Sequence, residues 1–245
     1  MKSILFLTFT LILSGAACKK EEASQVNNAP ENGTLTGKVS YANGNALRNA
    51  KVVAEHTVWF GTSVETVSNN NGLYNIAIPL NPAGSWTAKA QLQFSNWGQN
   101  YKVDLHPGNS SAFTITDAAV RNFTWQLNGA RPDGGFYGAH VDLYASGLSV
   151  NLEDISIRLT PIDPQLADGS IAQIIERRPE DIAGTFMIKD VPLGKYKAEV
   201  IFPGRTILLR NRHNANPAAV SQIVIFEKNG FLAETDYNIE FWVSE

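Results

Sequence analysis

Cysteine is nearly absent from this 245-residue chain: Cys18 is the only one. A single thiol excludes an internal disulfide framework and any multi-cysteine metal site, and its place near the N-terminus leaves the body without a cysteine nucleophile. Histidine is scarce as well, with four residues and none at metal-ligand spacing. G-x-S-x-G, H-E-x-x-H and phosphate-cradling glycine loops are missing, so the sequence predicts neither an enzyme nor a bound cofactor. Basic charge is in deficit: 20 Lys and Arg against 23 Asp and Glu give a net charge of −3. Without a positive field there is nothing to hold a polyanion, and a nucleic-acid partner is not expected. No apolar run reaches the roughly 18 residues of a spanning helix. A convincing long amphipathic helix is lacking too. What remains is 44% apolar and 18% charged, a composition that fills a core and argues against disorder.

The N-terminus carries the longest apolar run. Lys2 precedes ILFLTFTLIL (Ile4 to Leu13), which has the length of a signal-peptide core, and the small residues Ser14, Gly15, Ala16 and Ala17 lead into Cys18. This site resembles a bacterial lipoprotein lipobox, although Gly15 stands where that motif usually has Leu. The resemblance implies that residues 1–17 are a signal peptide and that Cys18 becomes a lipid attachment point. An unpaired cysteine at the cleavage point of an exported chain has no comparable reading as a core residue. The following KKEE (Lys19 to Glu22) resembles the charged signal that sends lipoproteins of Bacteroidetes-type bacteria to the outer face of the outer membrane. Residues 18–33 are polar, without periodicity, and read as a flexible tether. The expected membrane contact is this lipid anchor.

From Thr34 onward short runs alternate with period 2 and are broken by Gly, Pro and Asn. In SWTAKAQLQF, Trp86, Ala88, Ala90, Leu92 and Phe94 share one face, as a half-buried strand requires. SIAQIIERR (Ser170 to Arg178) suits either a helical turn or a strand. Asn128 to Gly135, NGARPDGG, is dense in turn formers and reads as a linker between bodies at 34–127 and 136–245. The halves echo each other. NGLYNIAIP (Asn71 to Pro79) and AGTFMIKDVP (Ala183 to Pro192) share a Gly, an aromatic, an Ile and a closing Pro, and NAKVVAE and EDISIRL precede them. The expected fold is all-β, two tandem prealbumin-like (Ig-like) antiparallel β-sandwiches.

Gly37 and Val39, Gly44, Ala50 and Val52, then Asn71, Gly72 and Tyr74 form a pattern that resembles the carboxypeptidase regulatory-like domain, a prealbumin-like sandwich. The resemblance is good over residues 34–80, thins towards 127, and is degenerate in the second half. It implies a fold and an accessory role, since such domains accompany peptidases, surface receptors and outer-membrane transporters and usually lack catalytic residues.

Candidate contacts follow from composition. Trp86 and Trp125 lie on apolar strand faces and read as core, whereas Trp242 falls opposite Tyr237, Ile239, Phe241 and Val243. Trp59 and Trp97 stand near loops. Exposed tryptophans stack on sugars, anchor protein partners, or seal an interface between sandwiches. Arg205, Arg210, Arg212 and His213 make the densest basic spot, and Arg205 and Arg212 are candidate contacts for an acidic ligand. His140 and Asp142 share a strand face and are candidate metal ligands if His106 or His213 joins them. The sequence thus predicts a non-catalytic surface lipoprotein contacting a glycan or an outer-membrane protein. Its alternatives are a metal-dependent hydrolase and an accessory subunit of an outer-membrane transport assembly.

Overall fold

The computed structural model describes residues 32–229 and 234–245. The expected signal peptide, Cys18 and the expected tether up to residue 31 lie outside the described residues. The rest is all-β. The first half contributes β1 (Thr34–Tyr41), β2 (Lys51–His56), β3 (Ser63–Val67), β4 (Leu73–Ala77), β5 (Ser85–Asn96), β6 (Gln99–Asp104), β7 (His106–Pro107), β8 (Phe113–Thr114), β9 (Ala118–Val120) and β10 (Phe123–Trp125). The second contributes β11 (Ala139–Ala145), β12 (Ser156–Pro161), β13 (Ile175–Arg177), β14 (Glu180–Ile182), β15 (Thr185–Val191), β16 (Lys195–Ile201), β17 (Leu208–Asn211), β18 (Ser221–Ile225), β19 (Glu227–Lys228) and β20 (Tyr237–Ser244). Of SIAQIIERR only Ile175–Arg177 is strand, β13, preceded by an isolated bridge at Ile171. A 3-10 turn at Leu152–Asp154 is the only helical element among the described residues.

Strands of each half pair only with strands of the same half. The first half forms sheets β4-β1-β10-β7, with β9 also on β1, and β3-β2-β5-β6, with β8 on β5. The second forms β14-β15-β11-β20-β17, with β19 on β20, and β13-β12-β16-β18. Most pairings are antiparallel, but β1 runs parallel to β9 and β10, and β11 runs parallel to β20. The echo in sequence is an echo in topology. β4 pairs antiparallel with β1 as β15 does with β11, and β2-β3-β5 corresponds to β12-β13-β16. The two halves differ after that. β5 turns straight back into β6 of its own sheet, whereas β16 is followed by β17 of the opposite sheet before β18 returns to pair with it.

Alternation builds the cores. Val52, Ala54, Trp86, Ala90 and Leu92 from one sheet meet Leu35, Val39, Ile76, Phe123 and Trp125 from the other, all buried. The Phe94 and Trp125 rings close the gap at 4.8 Å. In the second half Val141, Leu143, Ile239, Phe241 and Val243 face Ile157, Leu159, Tyr196 and Val224. Gly37 shows why the first motif needs its glycine. A Cβ there would stand 1.8 Å from the Arg121 carbonyl oxygen, which also accepts the Tyr74 hydroxyl at 2.5 Å. Burial drives that phenol's pKa far up.

The stretch between the halves is pinned. The Asp190 carboxylate accepts the N–H of Gly129 at 2.8 Å and of Gly138 at 3.1 Å, and Arg131 pairs with Asp104 at 2.7 Å. Gly138 has no room for a side chain, since a Cβ would lie 2.6 Å from the Asp190 backbone. Further contacts tie the halves directly: the buried Tyr101 hydroxyl donates to the Phe226 carbonyl at 3.0 Å.

Candidate functional site

The outward face of the β11–β20 pair gathers the polar and aromatic residues of the second half. Because the two strands run parallel in register, His140 stands beside Asn238, Asp142 beside Glu240, and Tyr144 beside Trp242. Period-2 alternation turns all six away from Val141, Leu143, Ile239 and Phe241. The next strand, β17, brings Arg210 opposite Trp242, and Arg212 follows it.

Arg212 organises one end of this face. Its guanidinium carbon lies 4.1 Å from the Tyr144 ring centroid and 4.7 Å from that of Trp242. Nη1 reaches Glu240 at 2.8 Å. The two rings stand 5.6 Å apart at 58°. A planar cation against two rings fixes both side chains in place. Beside Trp242 opens a cleft of about 350 Å³, whose lining includes Arg210, Asn214, Asn216, Ser146 and Ser244. Arg210 is exposed and makes no ion pair among the described residues. Aromatic face, amides, hydroxyls and a free guanidinium are the chemistry that holds a polar, ring-shaped ligand.

The other end is a buried charge network. Asn238 donates to Asp142 at 3.0 Å and to Glu240 at 3.2 Å, while His140 Nε2 lies 3.3 Å from Asp142 and Nδ1 3.6 Å from Asp236. Burial disfavours the His140 imidazolium, but the Asp142 hydrogen bond and the charges of Asp142, Asp236 and Glu240 outweigh it and hold the pKa above its ordinary value. Burial likewise lifts the Asp236 carboxyl, against the pull of His140 and with the repulsion of Asp142. Both residues line a cleft of about 440 Å³ under the Arg131–Gly138 stretch.

His106 and His213 do not join them. His106 meets the Tyr137 ring edge-on at 5.6 Å, and His213 lies 3.9 Å from Glu227. Among the described residues no three His, Cys, Asp or Glu are grouped to hold a metal ion. His140 and Asp142 are each other's partners.

The remaining candidates scatter. Arg205 pairs with Glu245 at 2.9 Å and contacts Ser149. Trp97, at φ 49° on the β5–β6 turn, donates its indole N–H to Asp163 of the second half at 3.0 Å and packs edge-on to Tyr101, so it lies in the contact between halves. Trp59 is 60% exposed on a loop at the far end of the first sandwich. Trp86 and Trp125 are core, as their strand faces predict.

Tyr144 escaped the sequence reading. Its parity with His140 and Asp142 was a usable signal, but its pairing with Trp242 depends on the parallel β11–β20 ladder.

No family model matches the chain, and no curated protein does. The carboxypeptidase regulatory-like resemblance therefore rests on the quoted residues. Solved structures align with the chain at very low identity. The Bacillus anthracis TIE protein is 10% identical over 87% of this chain, with a TM-score of 0.35. This chain spans 34% of that one. The major pilin of Streptococcus pyogenes is 11% identical, covering 86% of this chain and 97% of the pilin, with a TM-score of 0.29. The minor pilin of Streptococcus agalactiae is 13% identical over 86% and 96%, with a TM-score of 0.25.

Proposed function

We propose that this chain is a non-catalytic lipoprotein of the cell envelope. It is held in the outer membrane, on the cell surface, by acyl chains on Cys18, and it binds a glycan on the outward face of its second sandwich. The observation that carries the binding reading is the Tyr144–Trp242 pair clamped by Arg212 beside a polar cleft. Sugars present CH-lined faces to aromatic rings and hydroxyls to amides, and this cleft offers both. The unpaired Arg210 favours a glycan carrying carboxylate or sulfate groups. The sequence features at Cys18 and KKEE support the anchor and its destination. The likeness of residues 34–80 to carboxypeptidase regulatory-like domains supports an accessory role without chemistry of its own.

The test is a glycan-array screen of the chain beside Trp242→Ala and Arg210→Ala, with urea unfolding to show that both variants fold. Acidic glycans retained by the parent and lost by both variants are expected. Retention by Trp242→Ala would overturn the assignment of the site. A stoichiometric membrane protein co-purifying from detergent extract, with no glycan bound, would move the function to an outer-membrane assembly.

A further inference from the structure

The first sandwich ends in an apolar tip that nothing among the described residues covers. On the β2–β3 loop Val58 is 79% exposed, Trp59 60% and Phe60 106%, and Leu80 on the neighbouring β4–β5 loop is 72% exposed. Residues 57–62 (TVWFGT) and 78–84 (IPLNPAG) contain no charged side chain. Three consecutive large apolar residues in water are costly, and a contiguous patch of this kind marks a surface that meets something.

The tip is built to hold its shape. The buried His56 ring accepts the N–H groups of both Val58 and Trp59 at Nδ1, at 3.1 and 3.0 Å. That acceptor role leaves the proton on Nε2, which donates to the Ala83 carbonyl of the adjoining loop at 3.3 Å. One imidazole thus joins both loops. Gly84 makes room for it, since a Cβ there would lie 2.7 Å from Nε2. The Thr62 N–H closes the turn on the Trp59 carbonyl at 3.1 Å, and Thr57 is tied to Ser85. A loop with no use for its apolar side chains would not need this scaffold.

Where the chain comes in decides what the tip faces. β1 begins opposite the end of β4, with Thr34 paired to Ala77 and the Ile78 N–H on the Gly33 carbonyl. His56 is paired to Trp86 at the start of β5. The N-terminal strand, the Val58–Phe60 loop and the Leu80 loop therefore share one end of the sandwich. The second half attaches at the other end, beyond Trp125 and the Trp97 turn. About 15 residues separate Cys18 from Gly33, a reach of at most about 50 Å. Of the acids at this end, Glu55 below the loop is paired with Lys89 at 2.8 Å, and Asp117 has its carboxylate turned back onto the Thr114 N–H and hydroxyl.

We propose that the Val58–Trp59–Phe60 tip, with Leu80, seats in the surface of the bilayer that holds the Cys18 acyl chains. The inference rests on the lipid-anchor reading and goes beyond it. The anchor supplies proximity, and the tip sets orientation, planting the first sandwich end-on with the binding face of the second held away. A convex, uncharged tip led by Trp suits the headgroup boundary, where an indole buries its ring and keeps its N–H wet.

The experiment uses the full lipidated chain in phosphatidylethanolamine–phosphatidylglycerol vesicles, with plain or acyl-brominated lipid, beside Trp59→Phe. Sedimentation reports the anchor. The emission difference between the two chains isolates Trp59 from the other four tryptophans. Co-sedimentation with loss of the Trp59 emission in brominated vesicles is the expected result, and Phe60→Ser, with Trp59 kept, should weaken that quenching. Protein that co-sediments while its Trp59 emission is equal in both lipids overturns the proposal, keeps the anchor, and assigns the tip to a protein or glycan. Protein that stays in the supernatant overturns the anchor and the tip's placement with it.

Discussion

The Tyr237 hydroxyl sits between the two backbone polar groups of Lys102, accepting its N–H at 2.6 Å and donating to its carbonyl at 3.2 Å. Lys102 lies on β6, an edge of the first half's second sheet. One side chain from the second half therefore closes an edge that would otherwise be open to pairing with another chain. Tyr237→Phe removes both bonds while keeping the ring that packs 5.1 Å from Tyr101. The expected cost is about 1–2 kcal/mol, read as a lower urea midpoint. A broadened or split transition is also expected as the halves uncouple. An unchanged single transition would show that the halves are held by other contacts.

Gly37 and Tyr74 form a second such pair within the first sandwich. Gly37→Ala drives a methyl into the Arg121 carbonyl, and backbone cannot step aside as a side chain can. The expected loss is about 3 kcal/mol or more, seen as failure of the first half to unfold cooperatively by circular dichroism. Tyr74→Phe leaves the backbone alone and strands the Arg121 carbonyl, for about 1–2 kcal/mol. A Gly37→Ala chain no weaker than Tyr74→Phe would refute the steric account.

His140 gives stability a pH dependence of known sign. Its folded pKa lies above the unfolded value because Asp142, Asp236 and Glu240 outweigh burial, with Arg212 on Glu240 and Arg131 near Asp236 opposing them. A raised value stabilises the fold fully below the unfolded pKa, near 6.5, and that contribution is lost as pH rises through the folded value. Urea midpoints should therefore fall as pH rises above about 6.5 in the parent, and less so in His140→Gln. Parallel curves for the two chains would remove His140 from the account.

Arg212→Lys keeps the charge and gives up the plane. The ammonium can still meet Glu240, but it cannot lie flat against Tyr144 and Trp242 as the guanidinium does. The expected loss is about 1 kcal/mol, with a shift in Trp242 emission as its ring is freed. The comparison is equilibrium unfolding of parent and variant at low and high salt. A loss that vanishes at high salt would point to charge alone.

Strand faces were legible in the sequence because alternation is local. Trp86, Ala90 and Leu92 on β5, and Phe123 and Trp125 on β10, face the core as their parity requires. The likeness of NGLYNIAIP to AGTFMIKDVP also proved structural, with both segments paired antiparallel to the first strand of their half. The site was less legible. Tyr144 meets Trp242 only because β11 and β20, nearly a hundred residues apart, run parallel. Nothing short-range encodes that pairing. The run HTVWF (His56 to Phe60) misleads in another way: it is as apolar as a strand, but β2 stops at His56. Hydropathy says that a residue is apolar, not that anything covers it. Only the imidazole's three bonds reveal that the loop is held open.

Each half places its first strand beside its last, running the same way: Val39 to Tyr41 against Phe123 to Trp125, and His140 to Ala145 against Asn238 to Val243. A pull between the N-terminal and C-terminal ends of a half therefore acts at opposite ends of two neighbouring parallel strands. Their hydrogen bonds are loaded together, in shear, rather than opened one after another like a zip. In the first half β1 holds three residue pairs with β10 and, in the same register, three more with β9, whereas the six pairs of the second half form one unbroken ladder. Under tension both sandwiches therefore resist through ladders of like length, the first broken between Val120 and Phe123 and the second continuous beneath the aromatic cleft.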